Sequence, residues 1–330
     1  MASINQYFLL MSYAIALVLV HCGSHALCRP LDSNNTALSM RDRHEQWMAK
    51  YGRTYKDLSE KEKRFNIFKE NVERIESFNR ASSLNHKLYK LGVNVFADLT
   101  TEEFRATHTS FEPCFSLQSM FGGSTTNNFK YENVTNVPPS MDWREKGAVT
   151  HVKEQGDCGL NQINTGNLIS LSEQQLNDCD KTNHGCTGGS IKKAFKFIQQ
   201  NQGILTEQVY PYKAIQGQCQ TLQGHKVTIN GFEKVPAGNE HALLQAVSKQ
   251  PVAVRVDNSG FQLYQGGIFN GECGTKLNHD VTIVGYGTEN GNDYWLVKNS
   301  WGANWGESGF MRIIRGLNMC GLTAAPSYPI

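Results

Sequence analysis

The sequence predicts an α+β fold of two lobes, one helical and one β-barrel-like, placed behind a long charged helical segment. Three observations predict it. Helical spacing runs from Glu60 to Asn79 and again from Ile191 to Ile198. Alternating apolar runs with Gly-rich turns (PVAVRV, VTIVGYG, DYWLVKNSW) follow towards the C-terminus. Helices before strands fit two lobes with a cleft between them, where ligand sites tend to fall. The 330 residues suffice for a sizeable core plus accessory segments. With 32 basic and 30 acidic residues the net charge is +2, so no global field points to nucleic acid or to an acidic membrane surface.

The chain opens with an apolar run, Phe8 to Val20, too short to span a bilayer comfortably and followed by Ser24 and Ala26 at cleavage-site spacing. This reads as a secretory signal over residues 1–26, although no Lys or Arg precedes it; a membrane anchor or a buried helix is the alternative. Secretion makes disulfides the default for the nine cysteines. Cys22 and Cys28 lie in or beside the signal and Cys114 stands alone. Cys158, Cys179, Cys186, Cys219, Cys273 and Cys320 share the second half. No C-x-x-C pair exists and His184 sits in a polar turn, so no metal site is expected. No cofactor is expected either.

Next comes a charged, helix-periodic region in which Glu60, Arg64, Phe68, Asn71, Ile75 and Asn79 share nearly one helical face, with Ser59 and Glu62 as a capping box. By itself this is a solvated amphipathic helix, and Glu60 with Arg64 at i, i+4 would support any such helix. From Phe111 to Asn136 periodicity stops and Ser, Thr, Asn and Gly accumulate (GGSTTNN), which is linker chemistry. Asn34 and Asn133 begin glycosylation sequons, meaningful if the chain is secreted.

The six residues from Glu60 to Asn79 resemble the ERFNIN pattern of papain-like propeptides, and Gly92, Asn94, Phe96 and Asp98 the G-x-N-x-F-x-D pattern that follows it. After Val137 the stretches VPPSMDWREKGAVTHVKEQGDCG, LSEQQLNDCD, GCTGG, YPY, LNHDVTIVGYG, YWLVKNSWGANWGESGFMRI and MCG extend the resemblance to papain-like cysteine proteases up to the C-terminus. The resemblance implies a papain-like two-lobe fold, with an inhibitory propeptide and linker over residues 27–136 that fold on the enzyme and block its cleft, and a peptidase domain over 137–330. It further implies peptide or protein substrates, a monomer, and a vacuolar, lysosomal or extracellular destination.

Chemistry of this kind needs a thiolate paired with an imidazolium, a group orienting the ring and donors for the oxyanion. The resemblance assigns His279 as the catalytic histidine, Asn299 as its orienting partner, Trp301 as the indole shielding that bond, Gln155 as the oxyanion donor, and Gly188 and Gly189 as substrate-binding. A lone His or Asn on a strand is usually structural, so these roles rest on the motifs around them. It also pairs Cys158 with Cys186, Cys179 with Cys219, and Cys273 with Cys320, which uses all six cysteines of this region.

Two departures stand out. The family motif carries a second cysteine, the nucleophile, shortly after the first, at the N-terminus of a long helix. Here Cys158-Gly159 runs directly into Leu160-Asn161-Gln162, and the distance to Cys179 is short by roughly a dozen residues, about three or four helical turns. One block is missing, and with it the nucleophile, the helix dipole that helps acidify it and much of the helical lobe's core. Cys158 comes too soon after Gln155 to replace it. That lobe is expected to be partly unfolded. The second departure lies at the second specificity pocket, where Arg255 and Asp280 stand at positions that are small or apolar in the family. They either pair and fill the pocket or both turn to solvent.

Three readings stay open on these grounds: an active endopeptidase whose printed sequence has lost a block, a pseudoprotease whose propeptide inhibits related cysteine proteases, or an unstable product without function.

Overall fold

The computed structural model describes residues 38–82, 86–108, 129–154, 169–274 and 276–330. The signal segment, Asn34, Cys28, Cys114, Gln155 and Cys158 lie outside them. Residues Met1–Arg43 form one unit and His44–Ile330 the other, which holds the strand lobe and the candidate site.

Helix α1 (Met40–Tyr51) buries His44 and Trp47. Helix α2 (Leu58–Ser82) buries Phe65, Ile67, Phe68, Asn71, Val72 and Ile75 on one side. Its cap differs from the sequence expectation: Asp57 Oδ1 accepts the Glu60 amide at 2.8 Å, so Asp57, and not Ser59, closes the N-terminus. Strand β1 (Tyr89–Leu91) and helix α3 (Thr101–His108) follow.

The six patterned residues of α2 each have a physical task. Arg64 reaches back to Glu60 at 3.7 Å and across to Glu103 at 2.7 Å, and donates to the Asp98 carbonyl. Asn71 Nδ2 donates to the carbonyls of Ala97 and Leu99. Asn79 holds Leu91 through both its amide and its carbonyl. Phe68 and Ile75 are buried among them. The helix therefore acts as a rack on which an otherwise irregular segment, residues 92–100, is hung by its backbone groups.

The strand lobe is one nine-stranded sheet in the order β1-β7-β10-β9-β8-β6-β11-β5, with β2 (Met141–Asp142) pairing β8 off this path. Its main members are β5 (Phe232–Lys234), β6 (Val252–Val256), β7 (Tyr264–Phe269), β8 (His279–Glu289), β9 (Asn292–Lys298), β10 (Phe310–Ile314) and β11 (Ser327–Pro329). Strands β8 and β9 form a hairpin closed by Asn290-Gly291, both at positive φ, as a tight hairpin turn requires. The edge strand β1 comes from the N-terminal region: Tyr89 pairs with Gly267 and Lys90 with Gly266. Tyr89, Phe96 and Phe104 belong to the same apolar core as Val254, Phe261, Tyr264, Phe269 and Trp305.

Between residues 169 and 230 lie α4 (Glu173–Cys179), α5 (Ile191–Gln200) and the short pair β3 (Ile204–Leu205) and β4 (Lys226–Val227). Ala194, Phe195 and Ile198 face inward at the expected spacing, and α5 ends ahead of Gly203, which sits at φ +114°. Around these elements one apolar cluster gathers Leu171, Leu176, Ala194, Ile198 and Ile204, and Phe195, Leu205 and Tyr210 are buried besides. Much of the interior is polar as well. Gln174 and Tyr210 both donate to Asp178, Gln175 accepts from the Leu205 amide, and Lys153 joins Glu173 and Glu207.

Candidate active site

His279 opens β8, and its register with β6 sets what surrounds it. Val256 lies opposite His279 and Arg255 lies opposite Asp280. Asn299 and Trp301 follow the end of β9, and the Asn299 amide donates to the Gly309 carbonyl at 3.0 Å. The His279 and Asn299 side chains meet at 2.8 Å, Nε2 to Oδ1. The Ser300 amide donates to the same Oδ1 at 2.8 Å, which fixes Asn299 Oδ1 as acceptor and so puts the imidazole proton on Nε2. Nδ1 then carries the lone pair.

The Trp301 ring stacks on the imidazole with centroids 4.7 Å apart. All three residues are buried, at 4 % exposure for His279 and Asn299 and 1 % for Trp301. Burial pushes the His279 pKa below its ordinary value; the Asn299 hydrogen bond and the Asp280 charge act against that without overcoming it. The ring is thus oriented and buried, with its charged form disfavoured.

Arg255 and Asp280 pair. The guanidinium grips both carboxylate oxygens, Nε to Oδ1 at 2.6 Å and Nη2 to Oδ2 at 2.8 Å, and Nη2 also donates to the Gly189 carbonyl. The two side chains are 14 % and 11 % exposed, so neither turns to solvent. Gly188 takes φ 125°, open to glycine, and a Cβ at Gly189 would stand 2.8 Å from the Asn183 side chain.

The segment before Gln155 arrives beside this group: Glu154 bridges Trp301, and the Gly302 amide donates to the Lys153 carbonyl. Lys153 donates to Leu171 O, Glu173 and Glu207. Burial pushes the Glu173 carboxyl up to about 7 against the pull of Lys153, and Lys298, which donates to Thr150, down to about 8. This buried polar network was not legible in the sequence. Cys179–Cys219 and Cys273–Cys320 are disulfides, and Cys186 is also disulfide-bonded.

The N-terminal region also packs on Trp301. Phe104, Phe96 and His108 meet its ring edge-on with centroids at 5.1, 5.9 and 5.9 Å. Gln262, buried, donates to the Phe96 and Leu99 carbonyls and accepts from Asn94 Nδ2 through its own carbonyl. Asn258 Nδ2 donates to the His108 carbonyl, and the Gly92 amide to the Leu263 carbonyl. Neither Gln262 nor Asn258 carries a sequence signal: they are ordinary polar residues near a strand end, identified only by what they hold.

The family models decide what this arrangement is. Residues 137–330 match the Papain family cysteine protease model and residues 44–104 the Cathepsin propeptide inhibitor domain (I29). The chain belongs to the papain family.

Among curated relatives of this papain-family chain, senescence-specific cysteine protease SAG39 of Oryza sativa subsp. indica is 45% identical over 344 residues, covering 96% of this chain and 97% of that protein. Vignain of Phaseolus vulgaris is 46% identical over 317 residues, 88% of this chain and 86% of that protein. The recombinant stem bromelain precursor superposes with a TM-score of 0.77 at 44% identity, covering 88% of this chain and 98% of that one. The ragweed pollen allergen Amb a 11, in its proform, gives 0.79 at 40% identity over 88% and 94%. The papain-like α+β fold and the zymogen organisation, inhibitor domain ahead of peptidase domain, hold. No helix among the described residues is long and apolar enough to cross a membrane.

Proposed function

We propose that this papain-family zymogen keeps the positioning half of the peptidase machinery and lacks the attacking half, so that the chain as printed does not hydrolyse peptides. In this reading His279 is the general base, with its lone pair on Nδ1. Asn299 fixes its tautomer, Trp301 excludes water from their bond, Gln155 is the oxyanion donor, and Gly188 and Gly189 line the peptide's path.

One observation carries the reading. All five described cysteines of the peptidase region (Cys179, Cys186, Cys219, Cys273 and Cys320) are in disulfides; with Cys186 paired to Cys158, as the family resemblance implies, this region has no thiol left to pair with His279. The match to the rice protease runs over 344 aligned positions, more than the 330 residues of the whole chain, so that relative carries residues with no counterpart here, as a lost block requires. Without a nucleophile, the oriented base and the oxyanion donor leave only a residual rate, orders of magnitude below the intact unit. Sequencing the transcript across the codons for Gly159 to Asn161 tests the block itself: a transcript encoding a Cys-containing insertion there would make the natural product an ordinary endopeptidase.

A second reading is favoured by the completeness of the inhibitor domain. Its contacts to Gln262, Asn258, Leu263 and Trp301 all fall on the strand lobe and none uses the missing block. We therefore propose that the propeptide inhibits related cysteine proteases in trans. The remaining assignments belong to the same proposal: a signal over 1–26, propeptide and linker over 27–136, peptidase domain over 137–330, passage through the secretory pathway, and glycans at Asn34 and Asn133, of which Asn133 is exposed.

A further inference from the structure

The ion pair between Arg255 and Asp280 does more than neutralise two charges. Arg255 stands on β6 and Asp280 directly across from it on β8, next to His279. Both are β-lobe residues. The third bond of the guanidinium leaves that lobe: Nη2 donates to the carbonyl of Gly189, in the loop that precedes α5. That loop is itself fixed, because Asn183 Oδ1 accepts the Ser190 amide at 2.8 Å and Asn183 Nδ2 donates to Asp180 at 2.7 Å. Lys192, at the start of α5, has its pKa lowered, by burial first and by Arg255 among the nearby charges. The guanidinium is therefore anchored to strands at one end and to the helical lobe at the other.

Gly189 offers a ligand only its backbone. Its carbonyl is an acceptor that an extended peptide lying beside His279 could use, and here one of its two lone pairs is taken by a side chain of the chain itself, whose guanidinium then stands where the peptide would approach. The bidentate grip of Asp280 makes that capture durable, since a planar guanidinium held at two points has little freedom to swing away.

We propose that Arg255, locked by Asp280, is a self-occluding strap: it ties the helical lobe to the strand lobe and occupies the Gly189 carbonyl, closing the cleft beside His279 to a peptide ligand. This rests on the reading of the cleft given above but not on the missing nucleophile. An occluded cleft and an absent thiol are separate defects, and they are measured separately.

The test uses the full chain, unaltered and as Arg255→Val, Asp280→Ala and the double variant, and none of its readouts for the strap is hydrolysis. In Arg255→Val, amide exchange over residues 185–190 is expected to rise at least tenfold while the β8–β9 ladder stays protected. The double variant is expected to be more stable to heat than Asp280→Ala alone, because the latter strands a part-buried guanidinium. Once the linker has been cleaved by an added aspartic protease and the propeptide removed, N-acetyl-leucyl-glycine methylamide at millimolar concentration is expected to shift the amide resonances of Gly188 to Ser190 in the double variant and not in the chain with Arg255 and Asp280 in place. Shifts in the unaltered chain would show an open cleft and overturn the proposal. So would their absence from both proteins, since something other than Arg255 would then be excluding the peptide, and so would unchanged exchange over 185–190 in Arg255→Val. Peptide hydrolysis by the unaltered chain would sink the nucleophile reading and leave these outcomes to decide the strap by themselves.

Discussion

Asn299 Oδ1 accepts from both His279 Nε2 and the Ser300 amide, and this shared acceptor is what holds the imidazole in one tautomer. Replacing Asn299 by Ala removes both bonds and leaves a buried ring nitrogen without a partner, at a cost of about 1–3 kcal/mol; chemical denaturation is expected to show that loss, and imidazole nitrogen shifts a mixed tautomer. The buried ring also makes stability depend on pH. The folded state disfavours the charged imidazole, so its pKa lies below the unfolded value of 6.5, and the unfolded chain binds the extra proton first. Stability from this group is complete above about 6.5 and is lost as pH falls below it. Denaturation curves between pH 5 and 7.5 are expected to show this slope, and His279→Gln to reduce it; an unchanged slope in the variant would place the titration elsewhere. His279, Asn299 and the departures at Arg255 and Asp280 were legible because each sits inside a dense motif. Whether the two charges pair was not, since side-chain direction depends on the β6–β8 register, which two separate strands establish only once the sheet forms. Gln262 escaped notice for a related reason: its value lies in backbone carbonyls of a segment more than a hundred residues away.

At the scale of elements, α2 shows how a pattern becomes a function. Its buried face was readable from period alone, but the reason for two asparagines on it was not. They hold the carbonyls of residues 91, 97 and 99, a backbone-satisfaction task that leaves no periodic trace. Asn71→Ala is expected to cost about 1–3 kcal/mol by orphaning buried carbonyls, and Phe68→Ala about 3–5 kcal/mol by opening a cavity in a side chain that is 1 % exposed. Thermal melts of the full chain check both, and a loss below about 0.5 kcal/mol for either would show that the rack is not what holds residues 92–100. The cap was misread at Ser59 because a box motif and a simple Asp cap two residues earlier compete, and geometry chose Asp57. The helical lobe makes the opposite case. Its apolar cluster, with Phe195, Leu205 and Tyr210 beside it, is much smaller than the core of the strand lobe and sits next to a polar network, so less apolar burial offsets its ordering costs. Hydrogen exchange is expected to reach α4 and α5 well before the β8–β9 hairpin; equal protection would mean that the polar network suffices.

For the whole molecule, the inhibitor domain and the strand lobe share one core and one sheet, through β1 on β7 and the aromatic group on Trp301. This much is consistent with a sequence in which the propeptide motifs and the strand motifs are all present. The block that we propose to be missing after Cys158 would leave this half of the molecule intact and deprive only the other. The central claim is therefore chemical: a positioned imidazole with no thiol beside it. The most direct measurement cleaves the linker with an added aspartic protease, removes that protease and the propeptide, and exposes the remaining chain to a fluorogenic peptide and to iodoacetamide under non-reducing conditions, with mass mapping of the cysteine peptides. The account predicts no hydrolysis above background and no alkylation of Cys158, Cys179, Cys186, Cys219, Cys273 or Cys320 until a reductant is added. Stoichiometric alkylation of Cys158 together with peptide cleavage would contradict it, because that cysteine would then be the nucleophile serving His279.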